Sequence, residues 1–184
     1  QVIQQPKKLR EREAERAAPS VRTARGATRG LLRGWPRGSS TAEAARLVIA
    51  PRYLLDTNIC IYVARQQPPA VLARFARLAP GEAVISVITC GELRYGAVRS
   101  RRRAAAEAVL DELQTLVSVQ DLPAAAASHY GEIRARLEAA GEPIGGNDLW
   151  IAAHARAAGL TLVSNNLREF RRVPGLRLQN WAER

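Results

Sequence analysis

The stretch YLLDTNICIY, residues 53–62, decides the fold class. An apolar run climbs for three residues and then stops on Asp-Thr-Asn. It reads as a short strand over Arg52–Asp56 that ends on a carboxylate and turns into a helix over Asn58–Arg65. The same alternation continues downstream. Strands are predicted over Ala83–Val87, Val117–Val119 and Leu160–Ser164, with a fifth over Leu176–Gln179. Helices are predicted over Ala70–Leu78 after the Pro68-Pro69 break, over Thr89–Arg99, and over Arg102–Leu116 with Ala105, Val109, Leu113 and Leu116 on one face. Two more are predicted over Pro123–Ala140, stopped by Gly141, and over Asp148–Ala158, stopped by Gly159. Short strands separated by one or two helices imply an α/β fold, its parallel sheet covered by helices on both faces.

Composition bounds the rest. The 184 residues suit one domain with a tail and carry ample apolar content for a core. The formal charge of +11 is uneven. Residues 1–50 hold 11 Lys and Arg against 4 Glu, a net of +7, and residues 51–184 hold 17 Arg against 13 acids, a net of +4. The first 50 residues, rich in Gly, Arg, Ser and Pro, read as a basic disordered tail, and residues 51–184 as the folded domain. With no methionine even at position 1, that tail fits a fragment, a processed form or a translation begun upstream of a start near Val48. A nucleic-acid-binding arm is the alternative. No apolar run is long enough for a membrane span and no secretory signal is visible, so the expected location is the cytoplasm. Cys60 and Cys90 sit in apolar stretches outside any CxxC pattern and read as reduced thiols.

Three acids stand where parallel sheets bind ligands, at strand ends and helix starts. Asp56 closes the first strand; it either caps the helix that follows or serves a site there. Glu92 lies in VISVITCGELRYG, one turn beyond the second strand, among apolar or small neighbours. Asp148, in GEPIGGNDLWIAAHARAAG, opens an almost wholly apolar helix, where Asn147 or the preceding glycines can do the capping. Carboxylates brought together repel unless protons or cations intervene. Lysine occurs only at Lys7 and Lys8, so a hard divalent cation is the natural partner. All-oxygen ligation selects Mg²⁺ or Mn²⁺. The missing lysine also excludes haloacid-dehalogenase-type phosphatases and response-regulator receivers, and no P-loop or GxGxxG motif is present. Hydrolysis by metal-activated water survives this elimination.

The segments LLDTNICIY, SVITCGELRYGA and PIGGNDLWIAAHARAAGLTLVSNNLREFRRVPGLRLQNW, in this order, resemble the PIN-domain ribonucleases called VapC toxins. The resemblance spans about Arg52–Ala182 and implies a PIN-like three-layer sandwich. It implies that Asp56 and Asp148 ligate Mg²⁺ and that Glu92 completes an acidic cluster. A fourth acid in that family follows the strand at Leu160–Ser164; here Glu169 is assigned to it, with Asn166 as a polar substitute. Thr57 and Asn58 are expected to hold the Asp56 loop. The implied activity is endonucleolytic hydrolysis of RNA that leaves a 5′-phosphate and a 3′-hydroxyl. The implied partners are a VapB-like antitoxin that blocks the acids and a second copy of the chain in a homodimer. A PIN nuclease used for RNA processing, and a non-catalytic RNA- or protein-binding module, are the alternatives.

Other features read as structural. The run Arg99–Arg103 is as consistent with a solvated helix start as with phosphate contact. His154 reads as a packed core histidine, and Trp150 and Trp181 as packing residues, although an aromatic near Asp148 can stack on a base.

Overall fold

The computed structural model describes residues 49–183; the readings for residues 1–48 lie outside them. Five strands, β1 (Tyr53–Leu55), β2 (Ala83–Ser86), β3 (Ser118–Gln120), β4 (Thr161–Val163) and β5 (Leu178–Gln179), form one parallel sheet in the order β3-β2-β1-β4-β5. Register is set by pairs such as Leu54 with Val84 and Leu55 with Val163. Each strand matches a predicted one to within two residues at either end.

The helices are α1 (Thr57–Ala64), α2 (Pro69–Phe75), α3 (Val87–Val98), α4 (Arg103–Leu116), α5 (Ala126–Ala139), α6 (Gly146–Ala157) and α7 (Leu167–Phe170). Three departures from the sequence reading have physical causes. The inward face of α4 carries Ala106, Leu110 and Leu113, continued by Val117, with the predicted Leu116 packed against the same layer, whereas Ala105 is exposed. Both rows contain Leu113 and both have helical spacing, so periodicity alone cannot choose between them. Helix α5 begins at Ala126 rather than Pro123, with no side chain capping its start. The four-residue α7 was not expected; its one buried residue, Phe170, gives too short a periodic signal to read.

Strand alternation splits the core into two layers. Leu55, Ile85 and Val163 face one way and pack with Ile59, Val63 and Phe75 of α1 and α2, Leu93 of α3, and Leu110 and Leu113 of α4. Leu54, Val84 and Leu162 face the other way and pack with Ile133 and Leu137 of α5, Ile151 and Ala152 of α6, and Phe170 of α7. Each fully buried leucine or isoleucine contributes about 1.5–3 kcal/mol. Helices on both faces of the sheet make the expected three-layer sandwich.

Candidate active site

The chain leaves β1 toward one face of the sheet, into α1, and leaves β4 toward the other, into α7. The adjacent carboxyl ends of β1 and β4 are therefore a topological switch point, where open parallel sheets form their ligand crevice. Asp56 stands there, 3% exposed. Its N–H donates to the Val163 carbonyl at 3.0 Å, which continues the β1–β4 pairing by one residue. Its Oδ1 accepts the Thr57 N–H at 2.8 Å, so the capping role is real. Its Oδ2 accepts the Ser164 hydroxyl at 2.7 Å. Ser164, fully buried at the end of β4, accepts the Asn166 N–H at 2.9 Å with the same oxygen.

Glu92 is half-buried on α3 and is held from two sides. Thr57 donates its hydroxyl to Oε2, and Asn147 on the first turn of α6 donates Nδ2–H to Oε1 at 2.8 Å. These two donors are the residue after Asp56 and the residue before Asp148. Asn147 therefore ties α6 to α3 and does not cap α6; that position belongs to Gly145. Asp148 is 7% exposed on the first turn of α6, where the helix dipole favours a carboxylate. A Cβ on Gly145 would lie 3.1 Å from Asp148 Oδ2. The Gly145 N–H meets Glu169 Oε2 at 3.3 Å, which sets the half-buried Glu169 beside the Asp148 turn.

One more polar contact fixes the frame. Ser86 ends β2, accepts the Ile88 N–H at 3.2 Å and so caps α3; its hydroxyl also lies 3.0 Å from His154 Nδ1 on α6. Burial pushes the His154 pKa down and so favours the neutral ring, whose Nδ1 shares one hydrogen bond with the Ser86 hydroxyl. The packed-core reading of His154 stands, and the contact fastens α6 to the turn that carries α3.

The structure thus links four elements through single residues: Asp56 to Thr57, Thr57 to Glu92, Glu92 to Asn147 beside Asp148, and Gly145 to Glu169. Asn58 lies half-buried in the first turn of α1, and Asn166 precedes α7. Among the described residues no three His, Cys, Asp or Glu side chains converge closely enough to form a ready-made metal cage. Mg²⁺ does not need one, since it retains waters and commonly binds through one or two carboxylates and substrate phosphate. The oxygen-only donors, and the room that Gly145 leaves at Asp148 Oδ2, fit such an ion. Cys60 and Cys90 are free thiols; burial raises the Cys60 pKa, and Cys90 Sγ accepts Gln114 Nε2–H at 3.2 Å.

Comparison with known proteins meets this geometry. Residues 53–176 match the PIN domain family, a span that contains every acid described above. The chain belongs to that family. Within it, the PIN domain is 47% identical over 131 residues to ribonuclease VapC2 of Haemophilus influenzae, covering 71% of this chain and 98% of that protein. It is 45% identical, with the same coverage, to the tRNA(fMet)-specific endonuclease VapC of Shigella flexneri. In structure it resembles the toxin–antitoxin complex VapBC2 of Rickettsia felis bound to a promoter DNA fragment. That match has a TM-score of 0.66 and 40% identity, and covers 70% of this chain and 98% of that one. The DNA-bound VapBC of Salmonella typhimurium gives a TM-score of 0.67 at 41% identity, covering 71% and 98%. The PIN domain in this chain is therefore of the VapC type.

Sequence reasoning missed three parts of the site. Ser164 looked like an ordinary strand end and Asn147 like a cap, while Gly145 was expected as a cap but not as the close neighbour of Asp148 Oδ2 and Glu169. Only Gly145 had a readable signal, the Gly-Gly before an acid, and its partner could not be told from sequence.

Proposed function

We propose that this protein is the toxin half of a toxin–antitoxin pair, a Mg²⁺-dependent endoribonuclease with Asp56, Glu92, Asp148 and Glu169 as its acids. The observation that carries the assignment is the double clasp on Glu92 by Thr57 and Asn147, which draws the turns bearing Asp56 and Asp148 to one carboxylate. Asp56 and Asp148 would hold the ion, with Glu92 and Glu169 completing the acidic cluster. When bound, Mg²⁺ or Mn²⁺ supplies Lewis-acid charge beside the scissile phosphodiester. The protein's own contribution is orientation. Ser164 and the Thr57 N–H fix both oxygens of Asp56, and Thr57 and Asn147 fix both oxygens of Glu92. Gly145 leaves Asp148 its place and anchors Glu169. Preorganised groups of this kind spend no reorganisation energy at the moment of reaction.

The partner is a VapB-like antitoxin, as the VapBC complexes among the structural relatives support. A homodimer of the toxin belongs to the same proposal. No described helix is long and apolar enough to cross a membrane. The proposed action is in the cytoplasm, because RNA and antitoxin are made there. The test is cleavage of total RNA by purified protein with Mg²⁺ and with EDTA, beside Asp148→Asn. Cleavage should require the metal, leave 5′-phosphate ends and disappear in the variant. A well-folded wild-type protein that leaves every RNA class intact would reverse the assignment.

A further inference from the structure

On the other side of the loop that carries Gly145 lies a cavity of about 290 Å³ between α5 and the start of α6. Leu137 and Ile144 supply apolar wall, Gly146 forms part of the rim, and Tyr130, Arg134 and Glu138 line the α5 side. Consecutive residues of one loop serve both places. Ile144 and Gly146 line the cavity, while Gly145 between them faces Asp148 and Glu169.

The polar groups of this cavity are ordered. The Tyr130 ring is stacked on Trp150 with centroids 4.0 Å apart and an interplanar angle of 21°. Arg134 donates Nη1–H to the Tyr130 hydroxyl at 3.2 Å and Nε–H to Glu138 Oε1 at 2.8 Å. The cavity therefore has an apolar wall on one side and, on the other, a guanidinium donor and a carboxylate acceptor paired side by side. A nucleobase matches that set, having flat apolar faces with donors and acceptors on its edge. Proteins read unpaired RNA in this way, with bases splayed into pockets and hydrogen-bonded on their edges. Small-molecule sites run from about 300 Å³ upward, so this cavity suits a single base better than a larger ligand.

We infer that this cavity takes one unpaired base of the RNA, close to the scissile phosphate, with Arg134 and Glu138 reading its edge. The inference rests on the nuclease reading above and adds a specificity determinant to it. Arg134 and Glu138 are both exposed, so substituting them leaves the core intact.

The experiment is cleavage of a degenerate single-stranded RNA pool by the full chain, with product 5′ ends sequenced, for wild type, Arg134→Ala, Glu138→Gln and Asp148→Asn. Wild type should show a base preference at one position near the cut, and each cavity variant should weaken that preference about tenfold while still cutting in Mg²⁺. Asp148→Asn should not cut. If wild type cuts and the cavity variants keep its base profile, the inference fails and the nuclease reading survives. The same profile with weakened antitoxin binding would also overturn it, assigning the cavity to the protein partner. If wild type does not cut, amide NMR shifts on adding each nucleoside 5′-monophosphate decide separately. Shifts at Ile144 and Gly146 that vanish in Arg134→Ala uphold the base site, and their absence overturns it.

Discussion

Gly145→Ala isolates the geometry of the site from the stability of the fold. An alanine Cβ there would sit 3.1 Å from Asp148 Oδ2 and 3.6 Å from its Cγ, so the carboxylate must retreat by a few tenths of an ångström. The backbone does not object, because φ −59° and ψ 145° are open to any L-residue. Exchanging Gly for Ala at an N-cap costs about 0.5–1 kcal/mol, and the stiffer unfolded chain returns about 0.4–1 kcal/mol. Net stability should therefore stay within about 1 kcal/mol, or about 4 °C in Tm. Catalysis is less forgiving, since a misplacement of about 1 Å costs about 100-fold. A few tenths of an ångström at the carboxylate proposed to hold the metal then predicts about a fourfold to tenfold fall in kcat/KM. Gly96→Ala is the control: its Cβ meets nothing within 4 Å on α3, and helix propensity should raise Tm by about 2–4 °C with kcat/KM unchanged. The assay is RNA cleavage across a Mg²⁺ titration, with thermal melts of the same preparations. Unchanged kcat/KM in Gly145→Ala, or a loss that melting fully explains, would refute the reasoning.

Three further outcomes follow from the polar contacts. Ser164→Ala leaves Asp56 Oδ2 and the Asn166 N–H without their shared hydroxyl in a buried place, and should cost about 1–3 kcal/mol, seen as a lowered Tm, with cleavage reduced as well. Glu92→Gln retains one acceptor for two donors, so it should lose about one hydrogen bond's worth of stability, about 1 kcal/mol by denaturant melt. Its cleavage should fall by more than the unfolded fraction explains. For His154, the folded pKa lies below the ordinary value near 6.5, so the unfolded chain binds the extra proton first. The stability from burying the neutral ring is complete above that ordinary value and declines as pH falls toward the folded pKa. Melts from pH 7.5 to 5.5 should therefore show a loss on acidification that is smaller in His154→Asn.

Much of this protein is written locally in its chain. Among the described residues the five strands and six of the seven helices follow from apolar runs, prolines and glycines, because each signal lies within the element it predicts. The acids could be picked out for the same reason: Asp56 ends an apolar run and Asp148 opens an apolar helix, both costly places for a carboxylate without a partner. What the tertiary structure decided is which groups those acids meet. Thr57 and Glu92 are 35 residues apart, Glu92 and Asn147 are 55 apart, and Asp56 and Ser164 are 108 apart. Such pairings depend on sheet order, on β4 returning beside β1, and no local pattern encodes that order. The inward face of α4 was settled in the same way, by the neighbours it packs against. Periodicity describes a helix's faces; only the packed chain chooses which one is buried.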